Sequence, residues 1–241
     1  MSFESYWKKQ IRPNFERFSR EIVGRTITGT RRRGKRLLLL LDNARLVGIQ
    51  LGMSGNLIWQ KVPSVSQKHL RAVFELNNGW LLFYDARKFG RLFVFSDFDQ
   101  ALTGLGPDAL EAAAFATELA KQAKKRKKAI KTLLLDQSFL AGVGNIYADE
   151  ALFRARIHPA RLAAEIKQER LERLFAIVTE VLQEAVANGG TSFDWVWRGG
   201  RMQQRLLAYG RAGEECSCCG ATIRRLRLLG RSAHFCPKCQ K

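Results

Sequence analysis

Four cysteines near the C-terminus carry the plainest chemistry in this chain. Cys216 and Cys219, then Cys236 and Cys239, form two C-x2-C pairs with sixteen residues between them. Two such knuckles on facing turns can bring four thiolates to one tetrahedral zinc ion. Paired cysteines in a chain without a secretory signal favour metal over disulfides. Cys218, inside the first knuckle, reads as a bystander, with a register exchange with Cys219 as the alternative. The stretch between the pairs, ATIRRLRLLGRSAH, reads as a basic hairpin with Arg231 at or beside its tip, next to Gly230. A tip arginine suits insertion into a nucleic-acid groove, and simple solvation is the plainer alternative.

A second candidate lies in residues 131–159, KTLLLDQSFLAGVGNIYADEALFRARIHP. It predicts a helix ending near Leu133, Leu134 and Leu135, a break at Gly142-Val143-Gly144, and a second helix capped by Asn145. Free backbone N–H groups at that helix start, with Arg126 and Lys131 upstream, would make an anion seat. A helical hairpin whose glycines serve only packing is equally compatible with the stretch taken alone.

The charge balance decides which anion to expect. The 241 residues carry 41 Lys and Arg against 22 Asp and Glu, for a net charge of +19 and a pI near 10.3. Such a surplus points to a polyanion, nucleic acid above all, bound through phosphate contacts and counterion release. With 46% hydrophobic and 26% charged residues the chain is globular in composition. No apolar run reaches the ~18 residues of a membrane span. The opening MSFESYWKKQ lacks a secretory layout, so a cytoplasmic, nucleoid-associated protein is expected.

The elements that must position these groups fall into two kinds. Residues 1–20 are polar and aromatic, with Phe15 and Phe18 at helical spacing. Residues 21–96 predict an antiparallel β domain, a sandwich or flattened barrel, with a hairpin turn at Asn77-Asn78-Gly79 and another strand after Gly90. From about residue 97 the pattern turns helical. A basic run at residues 124–128 reads as a solvated helix face, and residues 165–187 as an amphipathic helix ending at Asn188-Gly189-Gly190. The expected organisation is therefore α+β: residues 1–100 a β-sandwich, 101–205 a helical domain, 206–241 a zinc finger with a β-hairpin.

The ordered set LGMSG, RKFGR, LGPDAL, AIKTLLLDQ, GVGNIYADEALFRARIHP, AYGRAGE and GRSAHFCPKCQK resembles the formamidopyrimidine-DNA glycosylase family, the base-excision repair enzymes related to endonuclease VIII. The resemblance runs from about residue 21 to the C-terminus. It implies a β-sandwich, a helix–two-turn–helix domain and a zinc finger that clamp damaged duplex DNA as a monomer and flip the damaged base out. The implied activity is that of a bifunctional DNA glycosylase and abasic-site lyase acting on oxidised purines, 8-oxoguanine or formamidopyrimidine. Lys35 in RRRGK matches the lysine that assists β-elimination. Met53, Arg87 and Phe89 match the set that fills the space left by the flipped base, although core packing would be the ordinary fate of Met53 and Phe89. His69, Arg126, Lys131 and Asn145 match contacts to the DNA backbone, and Arg231 the finger arginine near the abasic site. The segment at residues 195–207, where the family places a lesion-capping loop, departs from the usual pattern.

The start departs further. The family opens, after the initiator methionine, with a proline whose amine attacks the sugar C1′, followed by a glutamate. This chain opens Met1-Ser2-Phe3-Glu4-Ser5, and its first proline, Pro13, is internal. Three expectations follow: an upstream start that restores the segment, a DNA binder without catalysis, or a substitute amine such as Lys35 or the Ser2 α-amine.

Overall fold

The computed structural model describes residues 1–62, 68–192 and 199–241. Two compact units emerge, Met1–Thr103 and Gly104–Lys241.

The first unit contains β1 (Ser2–Ser5), β2 (Ile11–Arg12), α1 (Phe15–Ile22), β3 (Ile27–Arg33), β4 (Arg36–Leu41), β5 (Leu46–Gln50), β6 (Gly55–Gln60), β7 (Leu70–Leu76), β8 (Gly79–Asp85), β9 (Arg91–Phe95) and α2 (Phe98–Leu102). The strands make two sheets, ordered β1-β7-β8-β6 and β2-β9-β5-β4-β3. Leu39, Val47, Ile49, Leu92 and Val94 from the second sheet meet Ala72, Phe74 and Phe83 from the first in one buried core. This is a sandwich. Its pairing is antiparallel except for β2 on β9, which is parallel and two residues long. The β7–β8 turn sits at Asn77-Asn78, with Gly79 already paired to Leu76.

Residues 1–20 take a larger part than their polar look suggests. β1 zips along β7 from Ser2↔Glu75 to Ser5↔Ala72. Asn14 caps α1, its side-chain oxygen accepting from Arg17 N–H at 2.9 Å. Phe18 and Ile22 of that helix are fully buried, and Phe3 packs at a tilt against Phe18 and Phe74 with centroids 4.9 and 4.8 Å apart.

The second unit contains α3 (Ala116–Lys124), α4 (Ile130–Leu134), α5 (Asn145–Arg154), α6 (Gln168–Ala187), β10 (Arg224–Leu228) and β11 (Arg231–Phe235). Leu171, Leu174, Phe175, Val178 and Val181 of α6 form the spine of its core against α3, α4 and α5. The basic run departs from the expected helix face. α3 stops at Lys124, whose Nζ donates to the carbonyls of Ala164 at 2.6 Å and Ile166 at 3.2 Å. Residues 125–128 then form an exposed connection to α4. Five adjacent cations repel along a helix, and the turn disperses them. No described helix is long and apolar enough to cross a membrane.

Candidate nucleic-acid interface and metal centre

In the first unit the candidate residues stand on turns. Gly34 and Lys35 make the two-residue tip of the β3–β4 hairpin, with Arg33 paired to Arg36 across it, and Lys35 is exposed. Arg36 braces the base of that tip. Its guanidinium lies 5.4 and 5.2 Å from the ring centroids of Phe93 and Phe95 and donates to the Ala101 carbonyl. Burial lowers its pKa from the ordinary value.

Met53 sits in the β5–β6 turn, and Arg87 and Phe89 in the β8–β9 connection. Met53 is 66% exposed and Phe89 51% exposed, so neither takes the core position that apolar residues ordinarily occupy. The Arg87 guanidinium lies over the Phe89 ring at 5.2 Å. Residues 51–54 and 86–90 touch through backbone: a Cβ on Gly52, which has φ +68°, would fall 2.9 Å from Gly90 N. Between them lies Asp85, fully buried at the end of β8. Its carboxylate accepts the Ser54 hydroxyl at 2.6 Å on one oxygen and the Gly90 N–H at 2.7 Å on the other. The Ser54 oxygen in turn accepts the Arg87 N–H at 2.9 Å. His69 is the turn residue just before β7, with φ +66°, its carbonyl accepting the Asp85 N–H and its ring 3.5 Å from Arg71 Nη2. The loop before His69 was expected to span residues 61–69, of which 63–67 lie outside the described residues.

In the second unit polarity goes inward. Lys131 was expected to face the DNA backbone. It is instead 1% exposed, its Nζ 2.6 Å from Asp149 Oδ1 and donating to the Ser232 carbonyl at 2.6 Å. Burial lowers the Lys131 pKa, Asp149 opposes that shift, and nearby Arg231 adds to it. The other Asp149 oxygen accepts the His234 N–H at 2.9 Å and lies 3.1 Å from His234 Nδ1. Lys131 thus ties α4 and α5 to the hairpin that carries Arg231, and a role in direct phosphate contact gives way to that of a fastener. Glu150, also fully buried, accepts the backbone N–H groups of Leu207, Ala208 and Tyr209 at 2.8, 2.9 and 2.8 Å.

Asn145 also differs from expectation. Gly144 is the cap of α5, in extended conformation, and Asn145 is the first helical residue. Its Oδ1 is buried and has no partner among the described residues. The glycine at the cap leaves the helix start open, as an anion seat requires. Arg126 is exposed in the connection after α3.

The hairpin β10–β11 turns through Leu229 and Gly230, both left-handed at φ +44° and +78°. Arg231 is the first residue after the turn, paired with Leu228 and exposed. In the same finger, the sulfurs of Cys216, Cys219, Cys236 and Cys239 all lie within 4.8 Å of one another, with Cys216–Cys239 at 3.9 Å and Cys219–Cys236 at 3.4 Å. Thiolates about 2.3 Å from a tetrahedral zinc stand about 3.8 Å apart, so the four fit one structural zinc. Cys218 is exposed and outside the group.

Similarity to known proteins follows the same division. Residues 2–92 match the formamidopyrimidine-DNA glycosylase N-terminal domain, residues 105–195 the family's helix–two-turn–helix domain, and residues 213–241 the zinc finger found in FPG and IleRS. A formamidopyrimidine-DNA glycosylase of Desulfitobacterium hafniense is 41% identical over 231 residues, covering 92% of this chain and 85% of the relative. The chain belongs to the formamidopyrimidine-DNA glycosylase family. A member from Chloroflexus aurantiacus is 40% identical over 243 residues, covering 97% of this chain and 87% of that one. The Lactococcus lactis Fpg, solved in complex with DNA containing an abasic site, superposes with a TM-score of 0.89 at 32% identity, covering 100% of this chain and 91% of that one. The same protein in complex with DNA containing Fapy-dG gives the same figures. The family match begins at residue 2, which corrects the expectation that residues before about 21 fall outside it. Their signal is hard to read because β1 is an exposed edge strand of mixed polarity.

Sequence reasoning missed Ser54, Asp85, Asp149, Glu150 and His234. A detectable signal existed for the two acids in YADEALF: adjacent carboxylates inside a run of apolar helix positions must either face water or find buried donors.

Proposed function

We propose that this chain is a monomeric DNA glycosylase and abasic-site lyase that excises oxidised purines from duplex DNA in the bacterial cytoplasm. The observation that carries the reading is the exposed set of Met53, Arg87 and Phe89 on two abutting turns. Two large apolar side chains are held more than half exposed beside an arginine, outside the core where such residues ordinarily pack. They suit a wedge that enters a base stack and a cation that meets the orphaned base.

The remaining groups are assigned by the family resemblance. Arg126, Asn145 and Arg231, with His69, are assigned to phosphates, where they fix register without reading sequence. Lys131 joins them only indirectly, by holding the Arg231 hairpin. Zinc supplies the finger's fold when bound, and Cys216, Cys219, Cys236 and Cys239 would hold it. In the chemical step an amine attacks C1′, the damaged base leaves with a proton, and the sugar opens to an imine. Removal of a C2′ proton then expels the 3′ phosphate. Lys35, exposed on its hairpin tip, is assigned to that elimination.

The test is borohydride trapping on duplexes carrying either an abasic site or an 8-oxoguanine:cytosine pair. Covalent capture on both, with peptide mapping to name the amine, is the expected result. Capture on abasic DNA alone would limit the chain to lyase chemistry. Tight binding without capture on either would replace the enzyme with a binder of damaged DNA.

A further inference from the structure

We propose that Ser54 and Asp85 form a positioning pair that sets how far Met53, Arg87 and Phe89 reach into the DNA. The proposal rests on the reading of those three as the inserted set. None of the three is anchored by its own side chain in the core; each depends on its turn for direction. Both turns converge on one carboxylate. Asp85 Oδ1 takes the Ser54 hydroxyl, one residue from Met53, and Oδ2 takes the Gly90 N–H, one residue from Phe89. Ser54 then passes the connection on, its oxygen accepting the N–H of Arg87 itself.

The geometry makes the pair specific. The Ser54 proton is committed to Asp85 at 2.6 Å, which orients its lone pairs towards Arg87 N–H. The carboxylate is fully buried and Ser54 is 4% exposed, so water is poorly placed to substitute for either. Arg71 holds the same corner from the other side, its Nε donating to the Asp85 carbonyl at 2.7 Å. The two turns are therefore one mechanical body around Asp85. Loss of the central hydroxyl lets the turns move relative to each other while the sheets beneath them stay packed.

Neither residue is placed to touch DNA, so the test must separate positioning from stability and from contact. The probe is a duplex containing a tetrahydrofuran abasic analogue opposite 2-aminopurine, whose fluorescence reports unstacking when the space is filled. Full-length Ser54→Ala should bind this duplex within about threefold of the parent, because backbone contacts supply most of the affinity. Its fluorescence change should fall about tenfold, the scale of one lost hydrogen bond to a charged group. Met53→Ala sets the signal of a missing wedge, and Ser54→Ala combined with Met53→Ala should lose nothing more. Asp85→Asn should shift the signal in the same direction, and Ser54→Thr, which keeps the hydroxyl, should restore it. An unchanged signal in Ser54→Ala beside a lost one in Met53→Ala would overturn the positioning pair alone. An unchanged signal in Met53→Ala would strike down the wedge reading and this proposal with it.

Discussion

Asp85 in the β-sandwich and Asp149 in the helical unit are both buried carboxylates, yet they hold different things. Asp85 takes its hydrogen bonds from a hydroxyl and a backbone N–H, and the groups it serves point outward from turns. Asp149 takes a lysine, a backbone N–H and a histidine ring, and the candidate cation itself is inside. A sheet sandwich settles its own register through alternating apolar residues, so polar bolts are needed only where loops must be aimed. The β10–β11 hairpin buries Ala233 and Phe235, and its pose is fixed further by polar groups from the helices. Lys131 and Asp149 bond to Ser232 and His234 of that hairpin, and Glu150 holds the preceding residues 207–209. In one unit polarity aims the site, and in the other it assembles the platform.

Removing zinc should break the contrast most severely. Folding of isolated zinc-finger peptides draws about 10–16 kcal/mol from the metal, so chelation should unfold residues 206–241 while the sandwich keeps its own melt. Zinc release measured against two-phase calorimetry checks this, with one ion per chain expected. Next comes Lys131→Met, which leaves Asp149 buried without its cation and should cost about 3–5 kcal/mol in the second unit. Adding Asp149→Leu should recover much of that loss in urea titrations. Glu150→Gln removes a charge that serves three N–H groups and should cost about 1–3 kcal/mol.

The smaller effects on stability fall on the outward-facing residues. Arg231→Ala should leave zinc at one per chain and flatten the slope of log affinity against log salt by about one unit. Loss of metal in that variant would mean the arginine is part of the finger's fold. Met53→Ala and Arg87→Ala should move the melt by no more than about 0.5 kcal/mol, as surface changes do, while lowering excision of 8-oxoguanine. A large drop in melting temperature there would erase the distinction between the two units.

The outward-facing candidates could be named from motifs in the sequence, and the inward-facing groups could not. Only the family resemblance of LGMSG and RKFGR singled out Met53, Arg87 and Phe89, because apolarity alone would have sent Met53 and Phe89 to the core. The metal centre was legible because two C-x2-C pairs are a zinc-ligand spacing in their own right. Lys131 misled, since a lysine after a basic run looks solvated until a partner eighteen positions on, Asp149, takes it inside. Asn145 misled because Asn is a good cap, and only the backbone shows Gly144 in that place. Ser54 and Asp85 were invisible because a buried pair between distant turns leaves no period in the chain. The expectation about the lesion-capping segment partly concerns residues 195–198, which lie outside the described residues.

The crowding around Gly52 and Gly90 bears on how such a site can change over generations. A Cβ at Gly90 would lie 2.4 Å from the Phe83 ring and 3.0 Å from Asp85 Oδ2, and one at Gly52 would press on the opposite turn. Most single-nucleotide changes in either codon therefore add atoms where none fit. In a library of random variants these two positions should be nearly intolerant even though neither side chain can touch a nucleotide. Exposed Met53 and Phe89 should instead accept many residues at full expression and reveal their worth only under oxidative challenge. Abundance and survival would then draw two different maps of the same pair of turns.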